Sequence, residues 1–267
     1  MRRDLEQVGL ELYHREFPWG IVTNGLALTD ERLLSLRRAG IHAITISLDG
    51  LRDNHNWLRG NPLGFDRAMA AIRRVAATND IKWDVVTCVN RRNIGELETL
   101  KDELIAAGVK HWRLFTIFPA GRAAGQADLK LTPKEYRRLM EFIKATRTEG
   151  RIGANYCCEG FMGDYEGDIR DNFMNCYAGV TVGSVMINGD IGSCISIRSG
   201  YAQGNIYKDD FMTVWNTRYA PYRNREWMKE SEPCKSCKAF RYCMGNGMHL
   251  RDEEGHLMRC NLTDLGE

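Results

Sequence analysis

Cysteines near the C-terminus carry the clearest chemical signal in this chain. Eight of the nine cysteines lie between Cys157 and Cys260, and four of them are spaced Cys234-x2-Cys237-x5-Cys243-x16-Cys260. Thiolates at such short intervals converge on one point, as a soft metal centre requires. Four thiolates suit either a tetrahedral zinc ion or a [4Fe–4S] cluster, and the residue types do not separate the two. Unrelated core cysteines would have no reason to repeat at turn-sized spacing.

The composition is that of an ordinary globular protein and limits the kinds of partner. The chain has 267 residues, 43% hydrophobic and 27% charged, with a net charge of +2. This charge gives no strong attraction to nucleic acid or to a membrane surface, and no apolar run could span a bilayer. The charged N-terminus lacks the apolar stretch of a signal peptide. Ligand-spaced cysteines without an export signal predict a cytoplasmic protein with reduced thiols.

Strands and helices alternate in the first half of the chain. The β-branched and apolar runs predict strands over 19–25, 41–50, 81–89 and 111–118. The helical periodicity predicts helices over 2–15, 29–39, 64–77, 93–107 and 132–146. Asn93 and Glu96 are expected to begin their helix with a capping box. Strands separated by helices of this length predict βαβ units in a parallel sheet that curls into a barrel or part of one.

After about residue 150 the helical periodicity fades and glycine and cysteine become more frequent. Residues 180–197 are expected to form a β-hairpin that turns at Asn188-Gly189, because Asn-Gly supplies the positive φ of a tight turn. Two short helices are predicted next, over 207–216 and around 218–229. The chain is therefore predicted to have two domains, 1–150 and 151–267.

Several short motifs occur in an order that resembles a known family. They are TNG, ISLDG, HxxxR, VNRxN and FPAGRA, followed by Cys176-x12-Gly189-x4-Cys194, the CxxC-x5-C run and Cys260. The first group resembles the later two-thirds of a radical S-adenosylmethionine (SAM) core. The second resembles the SPASM extension of peptide-modifying radical SAM enzymes. The resemblance implies an α/β fold, with an incomplete parallel (β/α) partial barrel followed by a small Cys-rich SPASM domain.

The resemblance also implies a chemistry and its cofactors. The complete enzyme would be an oxidoreductase that takes an electron from a reductant protein and reduces SAM at a [4Fe–4S] cluster. The 5′-deoxyadenosyl radical would then abstract hydrogen from a peptide or protein substrate. Auxiliary [4Fe–4S] clusters would anchor the substrate or accept an electron. Sulfatase-maturing members have an aspartate where Ile195 follows Cys194 here, so a ribosomally made peptide is the favoured substrate.

Two motifs of the family do not occur in these residues. The sequence contains no CxxxCxxC trio for the SAM cluster and no GGEP segment. We therefore expect a fragment that begins at an internal Met and lacks roughly two βα units. Residues 1–267 alone are expected not to cleave SAM. The alternative is a non-catalytic iron–sulfur scaffold, or a structural zinc protein, which a visible spectrum would distinguish.

Five residues at the ends of the predicted strands are candidates for SAM binding. Ser47 and Asp49 end the SLDG strand, where either side chain could simply cap the turn. The resemblance favours Ser47 and Arg59 as a pair that grips the SAM carboxylate, and the planar fork of arginine matches a carboxylate. Asn24 and Asn90 lie where strands open into loops, so a turn role and a ligand contact both remain open.

Three further residues are expected near this end of the sheet. Cys88 lies within an apolar strand and is expected to be a core residue. His55 is expected to be structural. Arg122 could face the site or solvate a loop.

The resemblance implies a second auxiliary cluster on Cys176 and Cys194. In the family a cysteine four residues beyond the last cysteine of the CxxC-x5-C run supplies a further ligand. Here Gly247 stands in its place. The cluster is therefore expected to lack one thiolate and to have an open iron.

Upstream cysteines can supply part of what is missing. Neighbouring residues seldom both reach one metal, so Cys158 is the favoured third ligand and Cys157 the reserve. The open iron could accept substrate, SAM or His249, which lies two residues beyond the glycine.

Overall fold

A computed structural model describes residues 3–118, 121–157, 160–197 and 199–266. The chain divides into two compact units, one of Met1–Cys157 with Asp168–Arg170 and one of Cys158–Gly167 with Asp171–Glu267. Within the described ranges, no helix combines the length and the apolar character needed to cross a membrane.

The first unit contains a sheet of five parallel strands, in which neighbours in sequence are also neighbours in space. The strands are β1 (Trp19–Thr23), β2 (Ile41–Ser47), β3 (Lys82–Val89), β4 (His111–Thr116) and β5 (Gly153–Tyr156). The register pairs Ile46 with Val85 and Thr87 with Leu114. Because all five strands are parallel, their carboxyl ends lie at one edge of the sheet. The predicted parallel sheet is confirmed, and β5 is a strand that the sequence analysis missed.

Helices connect these strands and cover the sheet. They are α1 (Leu5–His14), α2 (Asp30–Arg38), α3 (Arg52–Arg59), α4 (Gly64–Ala76), α5 (Leu97–Ala106) and α6 (Pro133–Glu149). Thr29 caps α2 by accepting from the backbone N–H of Arg32, as predicted. The first turn of α6 is fixed by a capping box between Thr132 and Glu135. Helix α3 was not predicted, because its sequence RDNHNWLR has no apolar stripe.

The start of α5 differs from the prediction. A 3₁₀ turn, Ile94–Glu96, precedes the helix, and the Asn93 side chain makes no cap bond. The Asn93 amide instead accepts from the N–H of Asn90 and donates to the carbonyl of Cys88. The Glu96 carboxylate accepts from the N–H of Leu51. The predicted capping box is therefore wrong, because both side chains bond to neighbouring segments rather than to their own helix.

A series of hydrogen bonds crosses the apolar core from β4 to the end of β2. The fully buried Trp112 donates from Nε1 to the hydroxyl of Thr87 at 2.8 Å, and that hydroxyl donates to the carbonyl of Leu48 at 2.6 Å. A buried tryptophan needs such a partner for its N–H. Apolar side chains surround these groups, and the largest fully buried ones include Leu36, Ile44, Ile46, Ile72, Leu100 and Leu104.

Helix α1 contacts the first strand through a glycine. Gly9 is buried, whereas Val8 is 37% exposed. A Cβ at Gly9 would lie 2.2 Å from the ring of Trp19, so the glycine permits the indole to approach the helix backbone. The same indole donates to the carbonyl of Ala39 at 3.0 Å. Gly9 is therefore a point of contact between α1 and β1.

The second unit contains a small antiparallel sheet and short helices. Its strands are β6 (Ser184–Val185), β7 (Asp190–Gly192) and β8 (Gly204–Asn205). Gly189, with φ of 87°, makes the turn between β6 and β7, which confirms the predicted hairpin. Strand β8 was not predicted. Its helices include α7 (Glu166–Ile169), α8 (Phe211–Thr217), α9 (Ala220–Arg223), α10 (Phe240–Cys243) and α11 (Asn261–Leu265).

Candidate cofactor cavity and metal centres

A cavity of about 830 Å³ lies at the carboxyl edge of the sheet in the first unit. Asn24 after β1, Cys88 in β3 and Phe115 in β4 line it from the sheet, and His55 and Arg59 line it from α3. Ligands of parallel α/β sheets bind at this edge. The volume is within the range of small-molecule sites, about 300–1,000 Å³.

The buried carboxylate of Asp49 ties three elements together beneath this cavity. The side chain is 1% exposed. Its Oδ1 accepts from the N–H of Cys88 at 3.0 Å, and its Oδ2 accepts from Nε of Arg59 at 2.5 Å. The Asp49 N–H donates to Nδ1 of His55 at 2.9 Å. Burial lowers the pKa of His55, which keeps this acceptor nitrogen unprotonated.

Arg59 is therefore held by Asp49. The role of Ser47 and Arg59 as a pair that grips the SAM carboxylate stays a prediction. Ser47 is buried at the end of β2, where it pairs with Val86 in the sheet, and it is not among the cavity-lining residues. Only Nε of Arg59 bonds to protein within the described ranges. The two terminal nitrogens of Arg59 remain available to a ligand on the cavity side.

The two asparagines differ in position. Asn24 lines the cavity, and its Oδ1 accepts from the N–H of Leu26, which leaves the amide nitrogen toward the site. Asn90 is buried, and its Oδ1 accepts from the N–H of Arg92 in a turn. The core assignment of Cys88 is wrong, because this residue is half-buried and lies on the cavity wall. The side chain of Arg122 lies outside the described residues.

The four tail cysteines line a second cavity, of about 500 Å³, in the second unit. They are Cys234, Cys237, Cys243 and Cys260. Three consecutive residues after α10 have positive φ, namely Met244, Gly245 and Asn246, and they reverse the chain beside the cavity. At Gly245 a Cβ would lie 2.2 Å from Sδ of Met228, so this position requires glycine for space as well as for φ.

Two of the tail thiols, Cys243 and Cys234, lie where burial disfavours the charged thiolate form. Burial raises the pKa of Cys243 to about 12, and the neighbouring Cys260, Cys234 and Cys237 raise it further. Burial also raises the pKa of Cys234, against the lowering effect of Arg251. Cys243 and Cys234 become thiolates together only when a metal centre balances their charge. The donor set therefore matches a metal site.

A second set of candidate ligands lies in the same unit. Cys176 and Cys194 both pack against its apolar core. The buried guanidinium of Arg225 donates to the carbonyl of Cys176 at 2.8 Å and to the carbonyl of Asn246 at 3.2 Å. This bridge holds the segment before Gly247 beside Cys176. The favoured third ligand, Cys158, lies outside the described residues.

The imidazole of His249 fills the space beside Gly247. A Cβ at Gly247 would lie 2.7 Å from Cε1 and 2.9 Å from Nδ1 of His249. Burial, with a smaller effect of Arg259, lowers the pKa of His249 to about 4. The ring is therefore neutral at physiological pH, which is the form that binds metals.

Two family descriptions match the chain. The radical SAM superfamily matches residues 1–104, and SPASM, an iron–sulfur cluster-binding domain, matches residues 176–238. These two matches confirm the predicted resemblance to radical SAM proteins that carry a SPASM domain. These two domains imply [4Fe–4S] clusters and SAM as cofactors, so the predicted cofactors are confirmed. The predicted fold class is confirmed as well.

Individual relatives are similar over most of this chain. The AdoMet-dependent heme synthase of Methanosarcina barkeri is 24% identical over 84% of this chain and 68% of its own length. The mycofactocin maturase MftC of Mycobacterium tuberculosis is 25% identical over 85% of this chain and 58% of its own length. The structure of Streptococcus suis SuiB bound to precursor peptide SuiA superposes with a TM-score of 0.70 and 18% identity. It covers 91% of this chain and 57% of that one.

Proposed function

We propose that this radical SAM/SPASM protein takes part in the SAM-dependent modification of a peptide or protein. The observation that carries this proposal is Arg59, which lies on the wall of the sheet-edge cavity with Nε held by buried Asp49. A guanidinium fixed through Nε presents its two terminal nitrogens as a fork, which matches the carboxylate of SAM. Relatives named as maturases and the peptide-bound SuiB structure support a peptide substrate.

The remaining candidate residues have supporting roles in this proposal. The amide of Asn24 donates to the bound ligand from the opposite wall. Asp49 orients Arg59, while Ser47 and Asn90 hold the strand ends in place. In the complete enzyme, SAM would supply the 5′-deoxyadenosyl radical that abstracts hydrogen from the substrate, once a further [4Fe–4S] cluster had reduced it. The cavity walls orient the ligand and exclude water.

The cysteines divide into two cluster sites in this proposal. Cys234, Cys237, Cys243 and Cys260 bind one [4Fe–4S] cluster, and Cys158, Cys176 and Cys194 bind a second. These clusters supply one-electron transfer and require a reductant protein as a partner. Thiolate ligands need reducing conditions, which supports a cytoplasmic location. The net charge of +2 supports the absence of a nucleic-acid partner.

A second candidate substrate is a tetrapyrrole, because several relatives are named heme or Fe-coproporphyrin synthases.

The iron-reconstituted chain should bind SAM in anaerobic equilibrium dialysis. The precursor peptide encoded nearest to the gene should raise SAM affinity if the substrate is a peptide, and Fe-coproporphyrin should do so if it is a tetrapyrrole. A brown, iron-loaded chain that binds no SAM would contradict the proposal. A colourless chain that takes up zinc alone would favour a structural zinc protein.

Replacing Gly247 with cysteine should change the second cluster. The new thiol supplies the missing ligand, and its Cβ displaces the imidazole of His249, which lies 2.7 Å from that position. We expect a changed electron paramagnetic resonance (EPR) spectrum and loss of binding of added small thiols. His249→Ala is the matched variant, because it leaves the position open and should increase thiol binding.

Two outcomes would contradict this ligand assignment. If Gly247→Cys leaves the spectrum and the binding of added thiols unchanged, the second cluster has no open position. If Cys157→Ala removes the cluster while Cys158→Ala does not, Cys157 is the upstream ligand.

A further inference from the structure

A buried arginine lies directly behind the tail cysteines. Arg251 is 1% exposed, and its Nη2 donates to Sγ of Cys234 at 3.1 Å. The same nitrogen donates to the carbonyl of Gly245 at 3.2 Å, and Nη1 donates to the carbonyl of Gly255 at 2.7 Å. The guanidinium carbon lies 5.5 Å from the centre of the Trp227 ring. The side chain is therefore fixed, with one donor on a cluster-ligand sulfur.

The charge of Arg251 has no carboxylate to balance it. Among the described residues, no carboxylate oxygen lies within 4.0 Å of its nitrogens, and its Nε is buried without a hydrogen-bond partner. An unpaired buried cation is costly, because desolvation is not offset by a counter-charge. The group that faces this cation is the Cys234 sulfur. The charge is balanced when that sulfur is a thiolate.

We propose that Arg251 is the counter-charge of the tail cluster and sets its reduction potential. This inference rests on the proposed function, because it requires an iron–sulfur cluster on the tail cysteines. Four thiolates outweigh the positive charge of a [4Fe–4S] core, and reduction adds one more negative charge. A nearby cation and an N–H···S bond therefore stabilise the reduced form more than the oxidised form. Both effects raise the reduction potential.

Arg251 also joins the carbonyls of Gly245 and Gly255, so a purely structural role must be separated from the electrostatic one. Arg251→Gln removes the charge and retains hydrogen-bonding groups. Arg251→Lys retains the positive charge and loses the paired donor nitrogens of the guanidinium. Arg241→Gln is the matched control, because Arg241 is an exposed arginine in the same tail and its charge is screened by solvent.

The experiment is a redox titration of the full, anaerobically reconstituted chain, followed by EPR. The signal of the tail cluster is the one that disappears in Cys237→Ala. We expect the midpoint potential of this signal to fall in Arg251→Gln and to take an intermediate value in Arg251→Lys. Arg241→Gln should leave it at the wild-type value.

Other results would overturn the inference. An Arg251→Gln chain with wild-type iron content and an unchanged midpoint shows that the charge does not tune the cluster. If Arg251→Gln binds no iron, Arg251→Lys decides: restored iron supports the counter-charge, and absent iron assigns Arg251 a structural role through its backbone bonds. A wild-type chain that binds no iron overturns the proposed function together with this inference. That failure is distinguishable because it occurs without any substitution.

Discussion

Replacing Cys237 with alanine should remove about four irons per chain, the content of one [4Fe–4S] cluster. Cys237 lines the tail cavity with Cys234, Cys243 and Cys260, and its N–H donates to the carbonyl of Cys234 in the turn that joins the first two ligands. Alanine keeps this turn and removes the sulfur. The iron that loses its thiolate then lies at the half-buried position of Cys237, where solvent can reach it, so we expect this cluster to be lost. The measurement is iron content per chain after anaerobic reconstitution.

The same substitution should lower the thermal unfolding midpoint of the second unit. Metal binding contributes directly to folding in small ligand-rich segments. Without the cluster, the buried thiols near Cys243 and the cation of Arg251 lose the centre that balances their charges. Cys88→Ala is the control, because Cys88 is a half-buried cysteine of the first unit. Unchanged iron content in Cys237→Ala would show that the tail cysteines do not form this centre.

Local sequence predicted the parts of the fold that depend on local physics. The β-branched run before Asp49 predicted β2, and Thr29 predicted the start of α2 through a bond to its own helix. Gly189 predicted the hairpin, because its φ of 87° is unfavourable for other residues. The cysteine spacing predicted that the tail cysteines lie together, because Cys234, Cys237 and Cys243 are separated by short turns, and Cys260 lines the same cavity.

The features that the sequence analysis missed depend on contacts between distant segments. It did not predict the bond between Arg59 and the buried Asp49, because α3 brings the two side chains together from separate elements. Asn93 and Glu96 have the spacing of a capping box, yet both side chains bond to the loop after β2 or to the end of β3. A local pattern cannot reveal such a competing partner.

Arg251 gave no sequence signal at all. It lies among charged residues in a polar tail, where an arginine is ordinarily exposed. Only the turns that present the carbonyls of Gly245 and Gly255 make a buried position possible for it.

Replacing Asp49 with alanine should destabilise the first unit by about 2–4 kcal/mol. The substitution leaves the N–H of Cys88 without its acceptor and removes the charged bond to Arg59. An unsatisfied buried donor costs about 1–3 kcal/mol, and a hydrogen bond to a charged group contributes about 1.5–3 kcal/mol. These contributions overlap, because Arg59 is partly exposed and can bond to water instead. The measurement is urea unfolding of the reconstituted chain.

Asp66→Ala is the matched control for this substitution. Asp66 pairs with Arg52, which is on the same helix as Arg59, but both side chains are about half exposed. Exposed ion pairs contribute little, about 0–1 kcal/mol, so this variant should remain close to wild type. If both substitutions lowered the free energy of unfolding equally, burial of the Asp49 carboxylate would not explain its contribution to stability.

The effect of Asp49→Ala on SAM binding tests the orientation of Arg59. Once its Nε is released, the guanidinium of Arg59 can turn away from the cavity. SAM binding must then also fix this side chain, and the entropy lost in doing so lowers the affinity. We expect SAM affinity to fall about tenfold, which corresponds to about 1.4 kcal/mol. Arg59→Ala should lower the affinity at least as much, and the double variant should resemble Arg59→Ala alone, because Asp49 acts through Arg59. If Asp49→Ala binds SAM as the wild type does while Arg59→Ala does not, the carboxylate stabilises the sheet edge without orienting the arginine.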